Sequence, residues 1–118
     1  MKNQVTIIGA GNLTSSLLTA VHRDKFSYKI NIIDTNKKKK SELKKFKVSF
    51  FSSYTDVLTE SSLIMLMVKP NNYIEVIKEI NPYLSEKTII VSFMAGIACS
   101  SIKNKLSRNI PVVRCMTN

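Results

Sequence analysis

Val5-Thr6-Ile7-Ile8-Gly9-Ala10-Gly11-Asn12-Leu13-Thr14 is a short apolar run that breaks into glycine and then turns helical. A β-branched run of that length reads as a buried strand, and glycines directly after it let the backbone turn tightly and approach a ligand where a Cβ would collide. The following helix, about Asn12 to Arg23, starts with its N-terminus facing that gap. Its unpaired amides and positive dipole end suit a pyrophosphate, which makes the stretch a candidate dinucleotide fingerprint. The match to G-x-G-x-x-G is imperfect, because Thr14 stands where close packing of helix on strand favours Gly or Ala. The bland alternative is a strand-turn-helix without a ligand.

The next signal strengthens the motif. Tyr28 to Ile33 reads as a second strand ending at Asp34-Thr35-Asn36, and Asp34 lies 20 positions after Thr14. That is about where a dinucleotide fold places the side chain that meets the adenosine ribose.

At 118 residues the chain fits one domain with a real core, with no room for a two-domain enzyme of ordinary size. It has no run of about 18 apolar residues to span a membrane. Met1-Lys2-Asn3-Gln4 leads straight into a strand without a signal-peptide pattern, so a soluble, cytoplasmic protein is expected. Cys99 and Cys115 have no CxxC spacing and no histidines beside them, which favours reduced, mostly buried thiols over a metal site. His22 follows the helical apolar set Leu13, Leu17, Leu18 and Val21 and is expected at a polar edge of that helix.

The net charge of +10 raises nucleic acid as a partner. Much of it lies in Lys37 to Lys40 with Lys44, Lys45 and Lys47, without aromatic interleaving for base stacking. A solvated helix face is the preferred reading, and no nucleic-acid partner is expected.

A lysine-rich helix, about Lys37 to Lys45, leads to a third strand at Lys47 to Phe51 and a short polar helix around Tyr54 to Thr59. Ser62 to Val68 is an unbroken apolar run that suits a strand covered on both faces, stopping sharply at Lys69-Pro70. Tyr73, Val76, Ile77, Ile80 and Leu84 form one stripe of a helix over Asn71 to Leu84. Thr88 to Phe93 is a fifth strand, a helix runs from about Ser100 to Leu106, and Pro111 to Met116 is a sixth strand. Alternation at this spacing predicts an α/β, Rossmann-type doubly wound, mostly parallel sheet of about six strands with helices on both faces. Ligands bind such sheets beyond the carboxyl ends of the strands. Gly9 to Leu13, Asp34 to Asn36, Met67 to Pro70 and Phe93 to Gly96 all fall there.

Ile8-Gly9-Ala10-Gly11-Asn12-Leu13, Met67-Val68-Lys69-Pro70, Val91 to Ile97 and Val113-Arg114-Cys115-Met116-Thr117-Asn118 together resemble the pyrroline-5-carboxylate reductases, in order and spacing, over essentially the whole chain. The resemblance implies hydride transfer from a reduced nicotinamide to the C=N carbon of the small-molecule substrate 1-pyrroline-5-carboxylate, giving L-proline. It implies that Ile8, Gly9, Ala10, Gly11, Asn12 and Leu13 hold the pyrophosphate. Met67, Val68, Lys69 and Pro70 with Phe93, Met94 and Ala95 would line the ribose and nicotinamide, and Thr117 and Asn118 would lie nearest the substrate. No residue stands out as a catalytic acid, and no metal is implied.

Tyr54 stands where relatives often carry Asn near the adenosine, so that contact becomes stacking. Asp34 suits a free ribose hydroxyl, whereas Thr35, Asn36 and Lys37 could donate to a 2′-phosphate. NADP is the expected cofactor, with NAD as the alternative, and Lys37→Ala should weaken only NADPH. Relatives continue into a helical region that dimerises and completes the substrate pocket. Residues 1–118 are therefore expected to be the NAD(P)-binding domain of such a reductase, poorly active alone, with a homo-oligomer expected only where the helical region is present. A non-catalytic nucleotide-binding module and a related dehydrogenase with another substrate remain as alternatives.

Overall fold

The computed structural model describes residues 4–23, 27–36 and 38–116. Six strands form one parallel sheet: β1 (Gln4–Ile8), β2 (Lys29–Ile33), β3 (Ser49–Phe51), β4 (Leu63–Leu66), β5 (Ile89–Ser92) and β6 (Val112–Arg114). Their spatial order is β3-β2-β1-β4-β5-β6. The chain winds outward from β1 to β3, then returns to β4 on the other side of β1, so the switch point lies between β1 and β4. In register, Ile8 pairs with Ile33 of β2 and Leu66 of β4, which brings three carboxyl ends to one level.

Four helices connect the strands: α1 (Asn12–Arg23), α2 (Lys38–Glu42), α3 (Tyr73–Ile80) and α4 (Cys99–Lys103). Alternate residues of the strands feed two apolar layers, as the pleat requires. Ile8, Ile33, Ile64, Leu66 and Ile90 pack against Val76, Ile77 and Ile80 of α3 and Ile102 of α4. Val5, Ile7, Ile30 and Ile32 pack against Leu18 of α1 and Leu43 after α2. Fully burying each such side chain contributes about 1.5–3 kcal/mol, so the doubly wound form rests on these two layers.

The elements are shorter than the sequence suggests, for local reasons. The expected helix over Asn71 to Leu84 is α3 flanked by 3-10 turns at Pro70–Asn72 and Asn81–Tyr83. Pro82 lacks the amide that would continue the ladder. The lysine-rich helix is only Lys38–Glu42 and contains no buried residue, and Leu43 just after it packs into the core. The polar helix near Tyr54 is a 3-10 turn, Asp56–Leu58, capped by the Thr55 hydroxyl, which accepts the Val57 amide.

One expectation is corrected outright. Strand β4 is covered on both faces only in part. Leu63 and Met65 are half-buried, Ile89 is 42% exposed and Val113 51% exposed, all on the side that carries α1. Helices α1 and α2 both cross over β1 to β3, and no described element follows β6 to cover the rest. Cys99 is half-buried and Cys115 exposed, both free, so the thiols are less buried than expected. No helix among the described residues is long and apolar enough to cross a membrane.

Candidate dinucleotide cleft

A cleft of about 520 Å³ opens beyond the carboxyl ends of β1, β2 and β4. Its floor is the glycine loop. The Gly9 amide donates to the Ile33 carbonyl and the Met67 amide to the Ile8 carbonyl, both at 2.9 Å, so the three strand ends are stitched together there. The two glycines have different reasons. Gly9 has φ +108°, and a Cβ on it would sit 2.6 Å from the Met67 carbonyl oxygen, so this glycine is demanded by the protein's own backbone. Around Gly11 a Cβ would meet no atom within 4 Å, because it points into open space.

That open space faces the first turn of α1. The first amides of a helix have no intrahelical acceptor, and those of Gly11, Asn12 and Leu13 find none among the described residues. Free amides at a positive dipole end suit a diphosphate, so the loop fits the group that the sequence implied. Thr14 does not block it. Its side chain is fully buried, and its hydroxyl donates to the Gly9 carbonyl at 2.6 Å with the Met67 sulfur 3.3 Å away. The third glycine position therefore holds a hydroxyl that braces the turn.

Asp34 forms the second wall. One carboxylate oxygen accepts the Ala10 amide at 2.7 Å and the other the Asn36 amide at 2.8 Å. Asn36 in turn accepts the Lys38 amide at 3.1 Å, which starts α2. Glu75, Val76 and Glu79 of α3, with Tyr54, close the cleft opposite. Burial, then Glu79, then Asp34 push the Tyr54 phenol from 10.0 up to about 12, so it stays a neutral donor.

Of the residues singled out from sequence, Ile8, Gly9, Ala10, Gly11, Asp34, Thr35, Asn36, Tyr54, Met67, Val68 and Lys69 line this one cleft. Asn12 and Leu13 are exposed in the first turn of α1, next to Gly11, and do not line the cleft. Pro70 opens the turn into α3, and Phe93 and Ala95 lie past β5 at the same sheet edge. Met94 is 2% exposed and packs in the core with Leu66 and Val76, so its side chain supports the edge from below rather than lining the cleft. Lys37, Thr117 and Asn118 lie outside the described residues.

The sequence reading missed Ile33, at the end of β2, and Lys39, Asn72, Glu75, Val76 and Glu79. The signal existed for four of them: 72, 75, 76 and 79 recur at helical spacing just after Lys69-Pro70.

A second depression of about 530 Å³ lies at the amino ends of β2 and β3, lined in part by His22, Lys29, Phe46 and Lys47. It is at the wrong end of the strands for this fold's ligands. His22 serves the fold there. Its Nδ1–H donates to the Leu18 carbonyl and its Nε2 accepts the Lys47 amide, both at 3.0 Å. Among the described residues no cluster of His, Cys, Asp and Glu could hold a metal ion.

The family model for NADP oxidoreductase, coenzyme F420-dependent, matches residues 4–96, from the start of β1 past the turn after β5. The chain belongs to that family. The chain is similar to the pyrroline-5-carboxylate reductase of Pseudomonas aeruginosa, 29% identical over 98% of this chain and 43% of that protein. The pyrroline-5-carboxylate reductase of Coxiella burnetii superposes with a TM-score of 0.86 at 22% identity, over 96% of this chain and 43% of that one. The Plasmodium falciparum pyrroline carboxylate reductase, solved with NADP bound, gives 0.78 at 20% identity over 97% and 42%. The chain thus spans less than half the length of the relatives it matches, and both superpositions establish the Rossmann-type α/β fold.

Proposed function

We propose that this chain is the NAD(P)H-binding part of an oxidoreductase acting on 1-pyrroline-5-carboxylate to give L-proline, with NADP as the preferred cofactor and NAD as the alternative. The observation that carries the binding reading is the open space at Gly11 beneath the free first-turn amides of α1. Support for the substrate comes from the family, the relatives' names and the NADP held by the Plasmodium protein.

When bound, the dinucleotide supplies the hydride. The chain's own residues position it. Gly11, Asn12 and Leu13 amides neutralise diphosphate charge, while Asp34 anchors the loop and has lone pairs left for a ribose hydroxyl. Met67 to Lys69 and the Phe93 to Ala95 turn form the edge along which the nicotinamide half would extend, and Thr117 and Asn118 would lead towards the substrate. The residues that complete the substrate pocket and any dimer would come from a helical region such as the relatives' remaining length provides. A cytoplasmic location follows from the same reading.

Calorimetric titration with NADPH and NADH tests it. Binding of both, tighter for NADPH, with proline formation only when a helical half is supplied, is the expected result. Absence of binding to either dinucleotide would overturn it.

A further inference from the structure

Two segments far apart in sequence bring cations and aromatic rings together at the amino ends of β2 and β3. Tyr28 and Lys29 enter β2, Phe46 and Lys47 lead into β3, and all four line the depression of about 530 Å³ there. The lysine run, read from sequence as a solvated helix face, lacks rings for base stacking, and the fold places them beside it. Tyr28 is 40% exposed. The Phe46 ring has the Lys45 ammonium 5.3 Å from its centre on one contact and the His22 ring at 5.3 Å on another.

Charge is divided between the two ends of the sheet. Of the 8 acidic residues, Asp34, Glu75 and Glu79 line the dinucleotide cleft, whereas no described acidic residue lines the depression. Lys29, Lys44, Lys45 and Lys47 are exposed and have no ion-pair partner among the described residues. Like charges left unpaired repel one another, and a polyanion laid among them relieves that repulsion. The backbone that carries them is fixed beforehand. The Phe46 amide donates to the Leu43 carbonyl and the Val48 amide to the Phe46 carbonyl, both at 3.0 Å, and Leu43 is buried. His22 Nε2 accepts the Lys47 amide and ties the same turn to α1. Exposed lysines continue from this turn into α2 at Lys40 and Lys38. An extended row of cations suits a chain of phosphates better than one compact anion.

We infer that this end of the sheet binds single-stranded nucleic acid, with Lys29, Lys45 and Lys47 on the phosphates and Tyr28 stacked on a base. The bases of a single strand are free to stack on a side chain, whereas those of a duplex are stacked on each other. The assignment does not depend on the dinucleotide reading, because depression and cleft lie at opposite ends of the strands.

The test is fluorescence anisotropy of a labelled oligothymidylate of about 15 nucleotides with the purified chain. Wild type should bind it more tightly than a duplex of the same length, with affinity falling steeply between about 50 and 200 mM salt. Lys29→Gln, Lys45→Gln and Lys47→Gln combined should weaken binding about tenfold or more at the lower salt and flatten the logarithmic salt slope by about 2. Lys78→Gln, Lys87→Gln and Lys103→Gln combined remove equal charge from exposed positions that line neither cavity, and should keep most of the affinity. Tyr28→Ala should bind about fivefold or more weakly, while Tyr28→Phe, which keeps the ring, should stay close to wild type. Saturating NADPH should leave the oligonucleotide bound. The assignment would be overturned by no binding at the lower salt, by a duplex held as tightly, by equal losses in the two lysine triples, by a Tyr28→Ala affinity equal to wild type, or by displacement with NADPH.

Discussion

A carboxylate oxygen of Asp34, at the end of β2, accepts the Ala10 amide of the glycine loop at 2.7 Å, and its other oxygen accepts the Asn36 amide at 2.8 Å. One charged side chain therefore fixes the loop after β1 to the loop after β2, and both border the cleft. Charge-assisted bonds of this kind are shorter and stronger than neutral ones. Asp34→Asn leaves one side-chain oxygen to serve two amides and turns an NH₂ group towards one of them. The variant should lose about 1–3 kcal/mol in urea denaturation. Removing the negative charge should also move the ratio of NADPH to NADH affinity in favour of NADPH. Unchanged stability together with an unchanged ratio would contradict this account of Asp34.

The two loop glycines should respond oppositely to the same added methyl. At Gly9 it meets the Met67 carbonyl oxygen at 2.6 Å, on a backbone with positive φ, so Gly9→Ala should cost about 3 kcal/mol or more of stability. At Gly11 it meets no protein atom within 4 Å, so Gly11→Ala should melt close to wild type. In the proposed binding mode the methyl would occupy the diphosphate's space, and NADPH affinity should fall about tenfold or more. Thermal melts and calorimetry on the pair separate the two roles.

Thr14 gives a third measurement. Its hydroxyl is buried and bonded to the Gly9 carbonyl at 2.6 Å. Thr14→Val keeps the shape and removes the donor, leaving that carbonyl without this partner, which should cost about 1–3 kcal/mol by denaturant titration. Thr14→Ser keeps the hydroxyl and should lose less. Equal losses in the two variants would mean that packing, not the hydrogen bond, holds the turn.

The parallel, doubly wound sheet and the cleft's position were legible because apolar runs ended at Gly9, Asp34 and Lys69, and parallel strands leave few ways to connect them. Helix ends were less legible. Neither the break at Pro82 nor the isolation of Lys38–Glu42 shows in hydrophobic periodicity, which reports which face is buried and not where the ladder stops. The side chains of α3 that face the cleft were hidden for another reason. Glu75 and Glu79 sit beside the apolar stripe and read as ordinary solvated charges until Tyr54, far off in sequence, is placed across from them. Met94 shows the converse, since a residue in the right segment turned its side chain into the core.

The Tyr54 phenol, pushed up to about 12 by burial and by the charges of Glu79 and Asp34, ties the cleft to alkaline stability. Below about pH 10 the phenol is neutral in both folded and unfolded chains, and it contributes no pH dependence. Between 10.0 and about 12 the unfolded chain releases this proton while the folded one retains it, so the folded state loses stability as pH rises through that window. Any other alkaline titration is common to wild type and Tyr54→Phe. Melting temperatures measured at pH 9 and pH 11 should therefore fall further in wild type than in Tyr54→Phe, and absorbance near 295 nm should show one late-titrating phenol that the variant lacks. Parallel falls in the two proteins, with no late phenol in wild type, would mean that Tyr54 is not held beside those carboxylates.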